Sequence, residues 1–575
     1  MALLLAITLL TRAALGATVQ PDHRAGSALA MISPTDHPLQ AQLDRYLAGR
    51  AAVRDFAPTG RSRRDYLRIV DGQVRALRRY QTANGELPDP ISGKTYYAAP
   101  CYAHCVATLA ASGVDTDPEL LESGMRAMDY SVTALSKGLS AFRDRHPDFY
   151  IYPVMLALGQ FELVAPTQRL AAWRAALASI VPAKTYATYD NPGNNWQLVH
   201  TAGEFLRARA GLTDERYVEH ALAQQRSHVT PEGLYLEGGA PFAYDAFSRY
   251  FLTGMLHRGL DDPFYRDACW RGARTSLLLQ SPFGELPTGY RSAQHIWNEA
   301  ELACIYETYA AHCAAEGHSE WAGAFKRGAR LALAAIDRWI RPDGSGYVVK
   351  NRYPVEARFG YEAYSEHVNY NLLACTMLCA AWQVADDEVA EQPAPADVGG
   401  FAVVLPRFNM VIANAGGTYV EYMTHGNGKY NRTGLIRVHL AGATPLLSPS
   451  DGLLDSTPCP AGRPRVLRET ADEVSFEVAF DGWRDTVTLG RGGLLLTRDG
   501  EASVDWPFLE FDGQTHTAVT LDGGRLTLAR DGHEVRLSAP RWRLEPTLLP
   551  HRNGQVRVAV AEGEAPISVK MEVVR

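Results

Sequence analysis

The sequence predicts a multidomain α+β protein in which an N-terminal α/α toroid of helix hairpins precedes an antiparallel β-sandwich domain. From about residue 38 to 385, apolar residues recur at helical spacing in one long segment after another. From about residue 401, short alternating or continuous apolar stretches lie between Gly, Asp and Asn turns, as they do in antiparallel strands. The length of 575 residues is sufficient for more than one hydrophobic core.

The helical region 38–385 is the predicted catalytic domain. Short Gly/Pro turns separate its segments, and almost no alternating strands interrupt them, which is typical of antiparallel helix hairpins arranged in a ring. Examples of the predicted helices are 64–80, 118–139, 166–180, 196–210, 214–227, 243–259, 263–279, 295–316, 322–340 and 366–385.

Two flanking segments complete the predicted organisation. The acidic stretch 386–400, DDEVAEQPAPADVGG, is rich in Pro and Ala and is predicted to link the toroid to the sandwich domain, 401–575. Residues 1–17 contain an apolar run followed by small residues that suit a signal-peptidase site, which predicts a periplasmic or secreted protein. If residues 1–17 are not a signal peptide, the protein is expected to be cytoplasmic.

Composition excludes several classes of function. The formal net charge of -7 gives no support to a nucleic-acid partner. No segment after the N-terminus reaches about 18 uncharged apolar residues, so no membrane span is predicted. Walker, dinucleotide, HExxH and G-x-S-x-G motifs are absent from the sequence, and no compact spacing of metal ligands occurs, so neither a cofactor nor a metal is expected. The 27 tyrosines and 10 tryptophans suit surfaces on which sugar rings stack.

The stretch YDNPGNNWQLVH places Asn194, Asn195 and Trp196 at the start of a predicted amphipathic helix. Asparagine is a poor residue for a helix interior but a good N-cap, so helix capping explains one of the two asparagines. The neighbouring Asn and Trp196 remain to be explained. We expect Asn194 to cap the helix and Asn195 to face a cavity, with Trp196 beside a sugar or packed in the toroid.

Four further clusters of polar and aromatic residues fall near element boundaries, where active sites are commonly built. Each residue alone is better explained as a hydrogen-bonded core residue. The segment HGNGK, residues 425–429, is by itself explained as a hairpin turn. Together they would leave many polar groups unsatisfied unless they lined a wet cavity. The residues are Glu237, Tyr244, Asp245, Arg249 and Tyr250; Arg291, His295, Asn298 and Glu299, the last three on one predicted helical face; Tyr361, Tyr364, His367 and Tyr370; and His425, Lys429, Tyr430, Asn431 and Arg432 of the sheet region.

Two kinds of glycan chemistry fit these residues. Paired carboxylates for glycoside hydrolysis can be drawn from Asp190, Glu204, Glu237, Asp245 and Glu299. The clusters are richer in Asn, Arg, His and Tyr, however, and this set suits β-elimination from a uronic acid. An amide or guanidinium neutralises the carboxylate, and a Tyr or His removes the proton from the adjacent carbon and can protonate the departing oxygen.

The sequence resembles two groups of proteins in its predicted architecture and in two short motifs. The motifs are NNW, from Asn194 to Trp196, and F-x-Y-D-x-F-x-x-Y, from Phe242 to Tyr250. One comprises the α/α-toroid polysaccharide lyases of the heparinase II/III, alginate and chondroitin AC/hyaluronate types. The other is a large bacterial family of helical-toroid proteins without an assigned activity. Many relatives have His after the Asn pair, whereas this chain has Trp196, so an assisting His must come from elsewhere.

The resemblance to the lyases implies roles for particular residues. Asn195 would contact the substrate carboxylate and Tyr250 would be the acid/base, with Tyr244 as the second choice. Arg291 would be a further carboxylate contact, and His425 the assisting histidine, with His200, His295 and His367 as alternatives. The remaining residues predicted to bind substrate are Asn194, Trp196, Tyr244, His295, Asn298, Tyr364, His367, Lys429 and Tyr430.

Three functions follow as hypotheses. The first is a lyase acting on a uronate-containing, anionic polysaccharide or oligosaccharide. The second is a glycoside hydrolase that uses an Asp/Glu pair on the same toroid. The third is a carbohydrate-binding protein without catalytic activity.

Overall fold

The computed structural model describes residues 37–144, 146–452 and 459–574. The predicted signal peptide, 1–17, lies outside these residues. In the described part of the chain, no helix is long and apolar enough to cross a membrane.

The predicted toroid of helices is confirmed. The α-helices of this region are Gln40–Gly49, Arg63–Leu77, Ala98–Ser112, Pro118–Lys137, Ile151–Phe161, Thr167–Ala178, Pro182–Thr185, Trp196–Arg209, Arg216–Gln225, Phe242–His257, Pro263–Leu279, Trp297–Ala315, Ser319–Asp337 and His367–Val384. Most begin and end within a few residues of the predicted bounds, because Pro and Gly mark those ends in the sequence.

Six of these helices form a closed inner ring. Each packs against the next in chain order, and the last packs back against the first: Ala98–Ser112, Ile151–Phe161, Trp196–Arg209, Phe242–His257, Trp297–Ala315 and His367–Val384. The inner helices are buried around most of their circumference, as expected for helices enclosed on all sides. Other helices, such as Pro118–Lys137 and Ser319–Asp337, pack against this ring from outside.

One predicted helix begins later than expected. We expected His295 to share a helical face with Asn298 and Glu299, but the helix starts at Trp297. Gln294 adopts a positive φ of 68°, and His295 forms an isolated antiparallel bridge with Val349. His295 therefore lies in a loop, because the backbone before it is incompatible with a continuing helix.

The C-terminal region consists of antiparallel sheets, as predicted. Its strands are β1 Phe401–Leu405, β2 Met410–Ala415, β3 Thr418–Met423, β4 Gly434–Leu440, β5 Arg463–Glu469, β6 Glu473–Ala479, β7 Arg484–Gly490, β8 Gly493–Asp499, β9 Ser503–Phe511, β10 Ala518–Asp522, β11 Arg525–Arg530, β12 His533–Ser538, β13 Arg541–Leu544, β14 Leu549–His551, β15 Gly554–Glu562 and β16 Ile567–Val573. One sheet has the order β1-β2-β3-β4 and another β10-β11-β12-β16-β8-β7-β6-β5, while β15 pairs with β13, β14 and β9.

The β1-β4 sheet joins the two regions of the protein. Alternate residues such as Val403 and Ile412 pack into the helical core, whereas Val411 and Val420 pack into the core of the other sheets. Both faces are buried, which explains why these strands are almost continuously apolar in sequence. The sheet thereby fixes loops of the sheet region against one end of the helical ring.

The segment 386–400 packs on the helices. Asp387 forms an ion pair with Arg330, and Arg327 pairs with both Glu391 and Asp397. The helices of the toroid end at Val384 and β1 begins at Phe401. The division into domains at this segment stays a prediction.

Candidate active site

A cavity of about 250 Å³ lies at one end of the helical ring. Its lining residues come from the first two turns of the six inner helices and from the segments just before them: Tyr96, Tyr97, His146, Phe149, Asn194, Asn195, Trp196, Glu237, Tyr244, Phe247, Arg291, Trp297, Tyr364, Tyr370 and Leu373. A helix N-terminus carries a partial positive charge and free N–H groups. Six such ends directed toward one cavity favour an anionic ligand.

The two adjacent asparagines have different surroundings. Asn194 Oδ1 accepts a hydrogen bond from Trp196 N at 3.0 Å, so Asn194 satisfies one free N–H of the first helical turn. The N-cap position belongs to Asn195, whose side chain makes no capping hydrogen bond, so Asn194, the predicted cap, lies one residue before it. The Asn195 side chain is buried and directs its amide nitrogen to the Glu237 carboxylate. Asn195 Oδ1 accepts no hydrogen bond from the described residues. A buried acceptor of this kind is well placed to receive a hydrogen bond from a ligand.

Glu237 joins Asn195 to Arg291. One carboxylate oxygen accepts hydrogen bonds from the Asn195 side chain and backbone, and the other is paired with the Arg291 guanidinium. Burial raises the pKa of Glu237, while Asn195 and Arg291 oppose that rise. Arg291 also donates to Gly238 O at 2.8 Å, and its guanidinium lies 4.7 Å from the centre of the Tyr244 ring. An amide and a guanidinium are thus held side by side at the cavity.

A chain of hydroxyl groups leads from the cavity to a second carboxylate. Tyr244 Oη lies 3.1 Å from Ser292 Oγ, which lies 2.9 Å from Tyr364 Oη. The Tyr364 hydroxyl donates to Glu362 Oε2. Burial raises the pKa of Tyr244 to about 12, so this tyrosine is protonated at neutral pH. The Glu362 carboxylate can accept a proton passed along the chain.

The loop that carries Arg291 and Ser292 has an unusual backbone. Tyr290, Ser292 and Gln294 have positive φ angles of 62°, 59° and 68°, a region that residues other than glycine rarely adopt. Several such residues in one loop cost on the order of 1–3 kcal/mol each and persist only where their surroundings enforce them.

The sheet region supplies these enforcing contacts. Arg552 donates to Tyr290 O at 2.6 Å and to Asp451 Oδ2 at 3.1 Å, and the Asn431 side chain accepts from Tyr290 N. Asp451 also accepts from Thr288 Oγ1. Burial opposes the ionisation of Asp451, but His551 and Arg552 prevail and lower its pKa to about 2.

Replacing Arg552 by glutamine is expected to destabilise the fold by ~3–5 kcal/mol, because it removes the guanidinium that pairs with the buried Asp451 carboxylate. The native Asp451 carboxylate stabilises the protein above the pKa of about 4 that it has when unfolded, and this stabilisation is lost as the pH falls toward 2. In the variant, acid unfolding should therefore begin at a higher pH.

Urea unfolding at neutral pH and an acid titration followed by circular dichroism measure both effects. Arg543→Gln is the matched control, since Arg543 is half exposed and its pairs with Glu562 and Glu545 lie at the surface, where such pairs contribute about 1 kcal/mol or less. An Arg552→Gln protein as stable as Arg543→Gln would contradict the role assigned to the ion pair between Arg552 and Asp451.

The structure brings some predicted residues to the cavity and places others elsewhere. Asn194, Asn195, Trp196, Tyr244, Arg291 and Tyr364 line it. Tyr250 does not; it lies in the core between Tyr152 and Phe251, further along the helix Phe242–His257 that also carries Tyr244. His425 is exposed and does not line the cavity. Lys429 and Tyr430 line a neighbouring groove.

His295, Asn298 and His367 lie behind the cavity. His295 Nε2 is 2.7 Å from Ser365 Oγ, and Asn298 Nδ2 donates to Ser292 O at 3.0 Å. His367 is buried and its Nδ1 accepts from Asn371 Nδ2 at 3.2 Å. Burial lowers the pKa of both histidines to about 4, so both are neutral at pH 7. His295 and Asn298 support the loop at Ser292 rather than face the cavity.

Of the five acids considered as a hydrolytic pair, Glu237 alone lines the cavity. Glu204, Asp245 and Glu299 are buried in ion pairs with Arg207, Arg249 and Lys350. The charges of these three acids are therefore paired within the core of the toroid.

The sequence interpretation missed several residues at the cavity. Tyr96, Tyr97, His146 and Phe149 precede the first two inner helices, in the stretches TYYAAP and RHPDFYIYP. Aromatic residues directly before an apolar helix were the available signal, the same one that drew attention to Trp196. Ser292 and Glu362 carried no such signal, because only the folded loops bring them beside Tyr244 and Tyr364.

Comparison with known proteins shows the fold. The chain resembles a chondroitin AC lyase from Streptomyces coelicolor A3, solved with chondroitin sulphate, at a TM-score of 0.52 and 13% sequence identity, covering 94% of this chain and 83% of that chain. Weaker likenesses are heparinase III (TM-score 0.48, 9% identity, 93% and 91% covered) and an unsaturated glucuronyl hydrolase from Streptococcus agalactiae (TM-score 0.43, 10% identity, 61% and 96% covered). No protein-family model and no curated protein matches the sequence.

The chain therefore has the toroid-plus-β-sheet fold of an α/α-toroid polysaccharide lyase, which confirms the resemblance inferred from the sequence at the level of fold. Because a fold hosts many chemistries, the activity has to be argued from the cavity.

Proposed function

We propose that the protein is a polysaccharide lyase that cleaves a uronic-acid-containing glycan by β-elimination in this cavity. The proposal depends on one observation: the amide of Asn195 and the guanidinium of Arg291 line the same cavity as Tyr244, at which the chain of hydroxyl groups starts. β-Elimination needs both parts: donors that neutralise a carboxylate, and a group that removes the proton from the adjacent carbon.

Asn195 and Arg291 bind the substrate carboxylate in this proposal. Each uses only part of its donor capacity on Glu237, since an amide nitrogen has two hydrogens and a guanidinium has five. Glu237 fixes their relative orientation before substrate arrives, which is the preorganisation that electrostatic catalysis requires. The helix N-termini add to the attraction for the carboxylate.

Tyr244 then removes the proton from C5 of the uronate. Its own proton passes through Ser292 and Tyr364 to the Glu362 carboxylate. The C5–H and C4–O bonds break, a C4=C5 double bond forms, and the departing oxygen takes a proton returned by the same chain. The reaction therefore needs neither water nor an added cofactor.

The proposal is tested by incubating purified protein with a panel of polyuronates and recording the ultraviolet absorbance of an unsaturated uronate. Absorbance that rises with time on at least one polyuronate supports it. Reducing ends without that absorbance would show hydrolysis, and sugar binding without either would show a binding protein.

Export is part of the proposal, since glycans of this kind are found outside the cytoplasm.

A glycoside hydrolase is the second candidate, and one observation favours it. Glu237 is a buried carboxyl whose pKa is raised by burial, as expected of a general acid. A second carboxylate, Glu362, lies in the neighbouring groove and contacts Tyr364, which lines the cavity. In this interpretation Asn195 and Arg291 hold the catalytic acid rather than the substrate.

Replacing Glu237 by glutamine separates the two candidates. Glutamine keeps an acceptor for Asn195 and removes the negative charge beside Arg291, so a lyase should retain product formation within about tenfold. A hydrolase would lose its acid and fall by roughly 10²–10⁴-fold. Initial rates on the best polyuronate of the panel measure the difference, and the larger loss would contradict the role given to Glu237 in the lyase.

A further inference from the structure

The rim of the cavity is continuous. On one side Tyr96 packs on His146 with ring centres 4.5 Å apart, and His146 packs on Trp196 at 4.9 Å. Asn195, next in sequence to Trp196, contacts Glu237. These contacts close half of the circumference.

The other half is closed in the same way. Glu237 pairs with Arg291, the Arg291 guanidinium covers Tyr244, and Tyr244 is linked through Ser292 to Tyr364. Between Tyr364 and Tyr96 the gap is spanned by one side chain. Lys94 Nζ donates to Ala363 O at 3.4 Å and lies 5.3 Å from the centre of the Tyr96 ring.

The floor of the cavity is also closed. Phe247 and Trp297 are buried and pack edge-to-face with ring centres 5.3 Å apart, and Leu373 of another inner helix is buried beside them. A volume of about 250 Å³ is below the roughly 300–1,000 Å³ of pockets that enclose drug-sized ligands. The cavity is a blind pocket for one sugar ring, and a chain cannot run through it.

A groove beside the mouth offers a place for the rest of the chain. It has a volume of about 570 Å³ and is lined in part by Glu362, Lys429, Tyr430 and Arg552. It adjoins the mouth at Tyr364, because Tyr364 lines the cavity and its hydroxyl contacts Glu362 of the groove. Arg552 of the groove donates to the backbone oxygen of Tyr290, next in sequence to Arg291, which places the groove on the Arg291 side.

We infer that the protein removes single residues from the reducing end of a uronate oligosaccharide or polysaccharide. This inference rests on the proposed lyase function. The carboxylate donors Asn195 and Arg291 are in the pocket, so the ring that loses its C5 proton is the ring in the pocket. Its C4 oxygen leads to the next sugar and must point to the mouth, and its C1 side faces the closed pocket. Only a ring with nothing attached at C1 fits.

Each turnover then has a defined outcome. The C5–H and C4–O bonds of the terminal ring break and its C4=C5 bond forms, while the oxygen stays on the preceding sugar and takes a proton. The released product is an unsaturated monosaccharide. The remaining chain, one residue shorter, has a new reducing end that can enter the pocket.

Two matched substrates test the inference: a uronate oligosaccharide with a free reducing end, and the same oligosaccharide with a bulky aromatic amine coupled to that end. The wild-type protein should release unsaturated monosaccharide from the first time points on the free substrate. It should act on the coupled substrate at least roughly tenfold more slowly, the factor that ~1.4 kcal/mol of lost binding produces.

Unsaturated fragments of mixed length at early times, or equal rates on both substrates, would overturn the exo mode and leave the lyase function in place. Absence of any unsaturated product from both substrates and from the polyuronate panel would overturn the lyase function, and this inference with it. Chromatography with mass detection separates these outcomes in one experiment.

Discussion

Replacing Tyr244 by phenylalanine is expected to lower kcat by roughly 10²–10⁴-fold, the usual contribution of a positioned acid/base. The hydroxyl is the first member of the chain that runs through Ser292 and Tyr364 to Glu362, and phenylalanine removes it while keeping the ring beneath Arg291. KM should change little, because the carboxylate donors are untouched. Steady-state kinetics on the preferred polyuronate provide the measurement.

Tyr250→Phe is the matched control. The resemblance to the lyases implied Tyr250 as the acid/base, and its ring lies in the core against Tyr152 and Phe251, outside the cavity. The control variant should retain kcat within a few-fold, since it removes only a buried hydroxyl. If Tyr250→Phe lost activity and Tyr244→Phe kept it, the assignment of the acid/base would be reversed.

Replacing Asn195 by alanine is expected to lower kcat/KM by roughly 10²–10³-fold, the effect of removing one donor from a preorganised electrostatic site. The variant loses the amide that contacts Glu237 and the buried Oδ1 that accepts nothing from the described residues. The loss should fall mainly on kcat if the amide stabilises the charge that develops on the carboxylate during proton removal.

Asn194→Ala serves as the control for this prediction. Asn194 Oδ1 accepts from Trp196 N in the first turn of the same helix, so its loss should cost about 1 kcal/mol of stability and leave most of the activity. Thermal unfolding and kinetics of the two variants, measured side by side, separate a residue that stabilises the helix start from a carboxylate donor. Full activity in Asn195→Ala would contradict the proposed carboxylate site.

Much of the architecture was predictable from local patterns. Helical spacing with Gly and Pro at the boundaries predicted helices such as Pro263–Leu279 at both ends, because those signals act over a few neighbouring residues. The closure of the ring, with His367–Val384 packed against Ala98–Ser112, depends on contacts far apart in the chain. No local pattern encodes such contacts.

The candidate site shows the same limit. Asn195, Trp196 and Arg291 were predicted because each stands out against its own segment. The exchange of Tyr250 for Tyr244 depends on depth: Tyr244 lies in the first turn of the helix at the cavity, whereas Tyr250 lies further along the helix among residues of other inner helices. The six-residue spacing alone left both open. Glu362 and Ser292 became visible only when the positive-φ loop at 290–294, held by Arg552 and Asn431, brought them to the tyrosines.

The central claim is that this cavity performs elimination rather than hydrolysis, and the mass of the product tests it most directly. After incubation of a uronate oligosaccharide with the protein, we predict a product one water lighter than the hydrolytic product, formed by the wild type and not by Asn195→Ala. A product with the mass of the hydrolysed sugar, formed without ultraviolet absorbance, would contradict the account.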